Sequence, residues 1–232
     1  MSYTILHGET FPIVEYHLKK GERIQAESDA MIAMDTTIDV EGKMSGGLLG
    51  GLARKFLTDE SFFLQEMVAK RGDGKVLFAP SMPGGILDIK MDGTYELAVQ
   101  KGGFLAATEG ISIGTKVQNL VRGLFSGAGF FILKITGSGT VFVSAWGAAH
   151  ILSLEEGEEV VIDNGHLIAW PTYMDYSIEK ASGSWLSSFT SGEMLVCRFR
   201  GPGLVVIQTR NLGSFTSWIQ AIARQIYGKK GD

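Results

Sequence analysis

Three Gly-x-Gly turns, each running into a β-branched stretch, punctuate this chain at an almost constant interval. They read Arg71-Gly72-Asp73-Gly74-Lys75-Val76, Thr136-Gly137-Ser138-Gly139-Thr140-Val141 and Arg200-Gly201-Pro202-Gly203-Leu204-Val205, with steps of 65 and 64 residues. An interval of that size marks one supersecondary unit used three times, because so small a unit buries its apolar face only against its neighbours. The architecture is constrained before any side chain is given a chemical role.

Other residues keep the same phase. Lys116 and Lys180, Phe125 and Phe189, Lys134 and Arg198, and Val141 and Val205 are each 64 apart. The strands that open the units follow with a slip of one residue. Leu97-x-Val99-x-x-Gly102-x-x-Leu105 matches Val160-x-Ile162-x-x-Gly165-x-x-Ile168 at a step of 63, and Tyr16-x-Leu18-x-x-Gly21-x-x-Ile24 takes the same form in the first unit. Lys43 precedes Gly72 by 29 residues, against 21 from Lys116 to Gly137 and from Lys180 to Gly201, so unit one carries an insertion of eight. The expected division is a single domain, 1–232, with repeats at about 12–92, 93–157 and 158–213, packed around a pseudo-threefold axis on one shared core.

A chain of this length buries roughly 70–75% of its unfolded surface, enough to be stable without staples. Its single cysteine, Cys197, has no internal disulfide partner and reads as a small buried strand residue. Freedom from disulfides fits a reducing compartment. Met1 to Leu18 holds Glu9 and Glu15 but no Lys or Arg and no long apolar run, which matches neither a secretory signal nor a transit peptide. No stretch approaches a membrane span; the best, Phe130-Phe131-Ile132-Leu133, stops at Lys134. The location these features predict is cytoplasmic, at most peripheral to a membrane. A net charge of -4 speaks against a broad electrostatic grip on nucleic acid.

Alternation with period two dominates, as in Ile86–Met91, Thr94–Val99 and Val141–Trp146, and turn signals such as Asp92-Gly93 and Asn164-Gly165 bound these runs. The chain reads as all-β with one C-terminal α-helix at about 214–227. Phe215, Trp218, Ile219, Ile222 and Ile226 fall three and four apart there, with Ser214 placed to cap the helix and Gly228 to end it. The expected job of that helix is to cover an open edge of the β body.

Chemistry is harder to find. His7, His17, His150 and His166 form no closely spaced pair, so no metal site and no cofactor is expected. Ser45-Gly46-Gly47-Leu48-Leu49-Gly50-Gly51 lacks the Gly-Lys-Ser/Thr ending of a phosphate loop. The acidic run at Glu155-Glu156 and Glu158-Glu159 has no base, nucleophile or metal partner beside it. The expectation is a non-enzymatic protein.

The informative residues follow the equivalent lysines. Unit one has Leu48, Leu49, Leu52, Phe56 and Leu57 with Arg54 and Lys55 between; unit two has Leu124 and Phe125 near Arg122; unit three has Trp185 and Phe189. These connections occupy one place in each unit. They fold inward as a core cap, or they form an apolar end with cations beside it that meets a protein partner, another copy in a homo-oligomer, or a lipid surface. The contact residues on the second reading are Leu48, Leu49, Leu52, Arg54, Lys55, Phe56, Leu124, Phe125, Trp185 and Phe189.

Ser45-Gly46-Gly47-Leu48-Leu49-Gly50-Gly51-Leu52, followed by Phe62-Phe63, Gly72-x-Gly74, Leu77-Phe78-Ala79-Pro80 and Pro83-Gly84, resembles the signature of the "altered inheritance of mitochondria" family, also called the mitochondrial biogenesis family. The resemblance runs over nearly the whole chain. It implies a β-rich fold of repeated units like the tryptophan RNA-binding attenuator protein, on the pattern of a double-stranded β-helix. For the fungal mitochondrial member it implies a part in inner-membrane organisation and respiratory-complex integrity. The family has no established catalytic residues to carry over. The function expected on all these grounds is a scaffold or assembly protein acting through surface contacts, at a membrane surface in one version. The alternative is a small-ligand or nucleic-acid binding module that uses clefts between the repeats.

Overall fold

The computed structural model describes residues 2–8, 10–43, 64–117, 131–180 and 195–227. One pairing scheme accounts for nearly all of its strands. In the first unit β2 (Ile13–Leu18) and β4 (Met31–Met34) both pair with β7 (Gly74–Phe78), while β3 (Arg23–Glu27) and β5 (Asp39–Lys43) both pair with β6 (Leu64–Val68). In the second, β8 (Ile86–Asp92), β9 (Leu97–Gln100), β10 (Phe104–Thr108) and β11 (Ile111–Val117) surround one long strand, β12 (Phe131–Ser144). β9 and β11 take its first half, β8 and β10 its second. In the third, β13 (Ala149–Leu154) and β15 (Leu167–Pro171) pair with β18 (Gly203–Gln208). There β14 (Glu159–Asp163) and β16 (Asp175–Lys180) pair with β17 (Leu195–Arg200). Each unit thus has a front sheet, made by its first, sixth and third strands, and a back sheet, made by its second, fifth and fourth.

Neighbouring units join front to back. β10 pairs with β3, and β15 pairs with β9, so each third strand docks on the second strand of the unit before. With the long β12 as a bridge, these joints weld eleven strands into one sheet. Two sheets remain outside it: β2-β7-β4, extended by the N-terminal strand β1 (Ser2–Leu6), and β14-β17-β16.

These pairings put the units at 13–78, 86–144 and 149–208, not at 12–92, 93–157 and 158–213. Gly21 turns the first strand of its unit into the second, whereas Gly102 and Gly165 lie between the second and the third. The pattern around Tyr16 is therefore one strand out of step with those around Leu97 and Val160, because period-two alternation looks alike in every strand. The Gly-x-Gly landmarks keep their place at the passage from fifth to sixth strand. A Cβ on Gly74 would lie 2.4 Å from Thr37 Oγ1, on Gly139 2.4 Å from Thr108 Oγ1, and on Gly203 2.5 Å from Met174 Sδ. The backbone passes under a side chain from the end of the third strand, or the turn after it, and only glycine fits.

Three core clusters, one centred in each unit, replace the single shared core. Tyr16, Met67 and Phe78 anchor the first; Leu97, Ile135 and Val141 the second; Trp170, Cys197, Phe199 and Val205 the third. The clusters interlock at the joints, where Leu105, Ala106 and Phe142 enter the first and Ala98 and Ile132 the third.

The helix, α1, spans Leu212–Tyr227. Its cap is Asn211 rather than Ser214: Asn211 Oδ1 accepts the Ser214 amide at 2.8 Å. None of its residues is buried, so it does not cover a sheet edge as expected. Phe215 rests on Trp146 with ring centroids 5.0 Å apart. Gly228 lies outside the described residues. Among the described residues no helix is long and apolar enough to cross a membrane.

Candidate functional site

Each fourth-to-fifth-strand hairpin leads toward the connections singled out above. The last paired residues are Lys43 with Leu64, Val117 with Phe131, and Lys180 with Leu195. The candidate contacts themselves, Leu48, Leu49, Leu52, Arg54, Lys55, Phe56, Leu124, Phe125, Trp185 and Phe189, lie outside the described residues.

What the described residues do form is a cleft of about 350 Å³ where units two and three meet. Leu87 and Ile89 of β8 and Leu97 of β9 line one side; Ile151 of β13, Ala169 of β15 and Leu204 and Val206 of β18 line the other. Tyr95 and Tyr173 stand at its rim, edge to face at 6.4 Å between centroids. The Tyr95 hydroxyl donates to the Lys90 carbonyl at 3.0 Å, and burial, then the charge of Asp92, raises its pKa. The Tyr95 phenol is thus neutral at ordinary pH. An apolar pocket with a few polar groups at its mouth suits a small, mostly apolar guest.

The joint between units one and two has the same position, but there it is filled. Strand pairing makes Phe142 the counterpart of Val206, Thr140 of Leu204 and Asp88 of Ile151. Tyr3 of β1 packs edge-on against Phe142 at 4.8 Å, lies parallel to Tyr16 at 6.4 Å, and donates its hydroxyl to Asp88 Oδ2 at 2.5 Å. Lys90 closes over the Tyr3 ring at 4.4 Å, pairs with Asp88 at 3.6 Å and donates to Thr140 Oγ1 at 3.0 Å. Burial and the Asp88 hydrogen bond raise the Tyr3 pKa, so its ring stays a neutral plug. In the second cleft Ile151 and Leu204 stand 45% and 50% exposed instead.

The helix is a further apolar surface among the described residues, seated at Phe215 on Trp146. Leu212, Phe215, Ile219, Ile222 and Ile226 follow one another at steps of three and four, and Leu212, Trp218 and Ile226 are more than half exposed. From Met194 to Gly231 the chain carries six Lys or Arg and no Asp or Glu, within a protein of net charge -4. His166 is tied in beneath the start of the helix: its Nδ1 donates to the Gln208 carbonyl at 2.7 Å and its Nε2 accepts from Asn211 Nδ2 at 2.8 Å. Among the described residues no three His, Cys, Asp or Glu side chains gather as they would around a metal ion.

A family profile for mitochondrial biogenesis, AIM24, matches residues 3–210. The chain belongs to this family. One relative, the uncharacterised protein M6_Spy0233 of Streptococcus pyogenes serotype M6, is 30% identical over 227 residues, which cover 95% of this chain and 90% of that one. The crystal structure of SPYM3_0169, also from Streptococcus pyogenes, superposes with a TM-score of 0.78 at 29% identity and covers 95% of this chain and 99% of its own. The AIM24 match begins at Tyr3, so it takes in the plug residue, and it stops at Arg210, before α1.

The cleft escaped the sequence reading because its walls come from five strands of two units. The signal that could have found it is the alternation Tyr3, Ile5 ahead of β2, which marks an extra strand with no counterpart in the other units.

Proposed function

We propose that this AIM24 protein is a non-enzymatic assembly protein that seats on an anionic membrane surface through α1. The observation that carries the reading is the apolar stripe of α1, most of it exposed, on a helix whose one charged residue is the cation Arg224. Such a helix lies in the interfacial plane, with its apolar side chains below the headgroups and its cation among them. Burying four large side chains contributes roughly 6–12 kcal/mol before ordering losses, and each cation near an anionic surface adds about 1 kcal/mol. The apolar connection residues, Leu48 to Phe189, are further contacts on this reading.

Flotation with neutral vesicles and with vesicles containing phosphatidylglycerol tests it. Binding to the anionic vesicles should fall at least tenfold in a Phe215→Asp, Ile219→Asp variant whose melting temperature is unchanged. Equal recovery of wild type and variant would end the proposal.

A second reading is favoured by the open cleft: a module that binds an aromatic guest between units two and three. The guest class is suggested by Tyr3, whose phenol fills the equivalent joint. p-Cresol, the Tyr side chain as a free molecule, is the probe, read as a rise in melting temperature that Val206→Phe abolishes.

A further inference from the structure

Each composite sheet in the protein is a back sheet of one unit continued by the front sheet of the next. The chain therefore ends with two unmatched halves, the front sheet of unit one, whose free edge is β4, and the back sheet of unit three, whose free edge is β14. We propose that copies of this protein associate head to tail, with β4 of one chain pairing antiparallel with β14 of the next.

The internal joints supply the geometry. Every third strand carries an irregularity at the same point, between Met31 and Ala33, Phe104 and Ala106, and Leu167 and Ala169. That makes Ala33, Ala106 and Ala169 equivalent. At the joints Ala106 faces Ala26 and Ala169 faces Val99. Ile162 is the counterpart of Val99, since Ile162 pairs with Cys197 as Val99 pairs with Leu133. The intermolecular register follows: Ala33 opposite Ile162, Met34 opposite Val161, and Thr36 opposite Glu159, as Thr172 stands beside Glu96 with its amide donating to the Glu96 carbonyl at 2.8 Å.

Exposure at these positions marks a joint that lacks its other half. Ile32 is 53% exposed, whereas its counterparts Leu105 and Ile168 are 1% exposed. Val161 is 48% exposed, whereas its counterparts Gln25 and Ala98 are 9% and 3%. Bare strand edges with apolar side chains are templates for another strand, and proteins that keep such edges apart place charges on them. The occupant that fits both edges is a second copy, because it alone brings a front half to a back half in a register used twice already. Pairing of this kind is heterologous, so it generates a ring or an open chain.

The inference goes beyond membrane attachment and stands or falls apart from it, since the helix takes no part. Light scattering after size exclusion, over a range of concentrations, should show wild-type protein growing beyond the monomer. Met34→Lys and Val161→Lys each spoil one edge at an exposed site, and each variant alone should be a monomer with an unchanged melting temperature. Mixed in equal amounts, they should form a dimer with one copy of each, seen by native mass spectrometry, because each retains the edge the other has lost. Oxidation of mixed Met34→Cys and Val161→Cys copies should trap the same dimer covalently, with Cys197 buried and out of reach. A monomeric wild type up to its solubility limit overturns the proposal, as do multimers that survive both lysine substitutions or a mixture that yields no dimer.

Discussion

Replacing Tyr3 with Ala should turn the filled joint between units one and two into a copy of the open one between units two and three. Tyr3 is half-buried and touches Tyr16, Phe142, Asp88 and Lys90, so its loss removes packing together with the two hydrogen bonds of its hydroxyl, to Asp88 and from Lys90. A fully buried aromatic cut to Ala destabilises by 3–5 kcal/mol; half of that burial, plus two bonds of about 1 kcal/mol each, gives roughly 3.5–4.5 kcal/mol. For a chain of this size each kcal/mol moves the melting temperature by about 2–4 °C, so a fall of about 7–18 °C is expected.

Calorimetry reads the fall, and p-cresol separates its causes. The variant has two phenol-sized clefts, so p-cresol should raise its melting temperature more than it raises that of the wild type, by mass action on the folded state. Tyr3→Phe keeps the ring and loses the bonds to Asp88 and from Lys90, and should fall by about half as much. A melting temperature for Tyr3→Ala within about 1 °C of wild type, where the packing loss demands several degrees, would refute the claim that β1 is a plug. A full-sized fall with no rescue would show that the space collapses rather than opens.

Two further outcomes check the core. Val141→Asp sets a charge in the second cluster at a site with no exposed surface and should cost several kcal/mol, enough to leave no cooperative unfolding transition near physiological temperature by circular dichroism. Burial, with the charge of Asp163 adding to it, pushes the Cys197 thiol up to about 12. Unfolded thiols titrate near 8.5, so the folded chain keeps a proton that the unfolded chain has lost; stability holds below about pH 8.5 and declines as pH rises above it. Urea midpoints at neutral and alkaline pH should show that decline in wild type and a shallower one in Cys197→Ala.

The repeat could be read from the sequence where the backbone allows one residue only. Gly74, Gly139 and Gly203 each pass under a neighbouring side chain, and Val141 and Val205 follow them into the core, so their spacing survives in the residues. The limits of the units could not be read, because Tyr16, Leu97 and Val160 alternate alike although Tyr16 sits in a first strand and the others in second strands. The joints were hidden by their own geometry: the irregularity before Ala33, Ala106 and Ala169 interrupts the alternation that reveals a strand. The stripe from Phe215 to Ile226 was plain, but spacing is the same whether a helix covers an edge or stands exposed. The connection residues from Leu48 to Phe189 lie beyond the described positions, so the candidate site named first has no geometry to weigh.

A chain of repeats that joins each front sheet to the preceding back sheet must end in one unmatched half of each kind, however many repeats it has. Three units could remove both ends by closing on themselves, with β4 meeting β14 of the same chain, as a pseudo-threefold axis would require. Among the described residues β4 pairs only with β7 and β14 only with β17. Segments added at the termini could cap the ends instead. β1 adds to β2, on the far side of the front sheet from β4, and its Tyr3 fills the joint between units one and two. The helix leaves from β18 and makes its ring contact at Trp146, and Val161 on β14 remains half exposed. Both additions are spent away from the two edges. Among the described residues neither route covers β4 or β14, and the head-to-tail pairing proposed above would cover both at once.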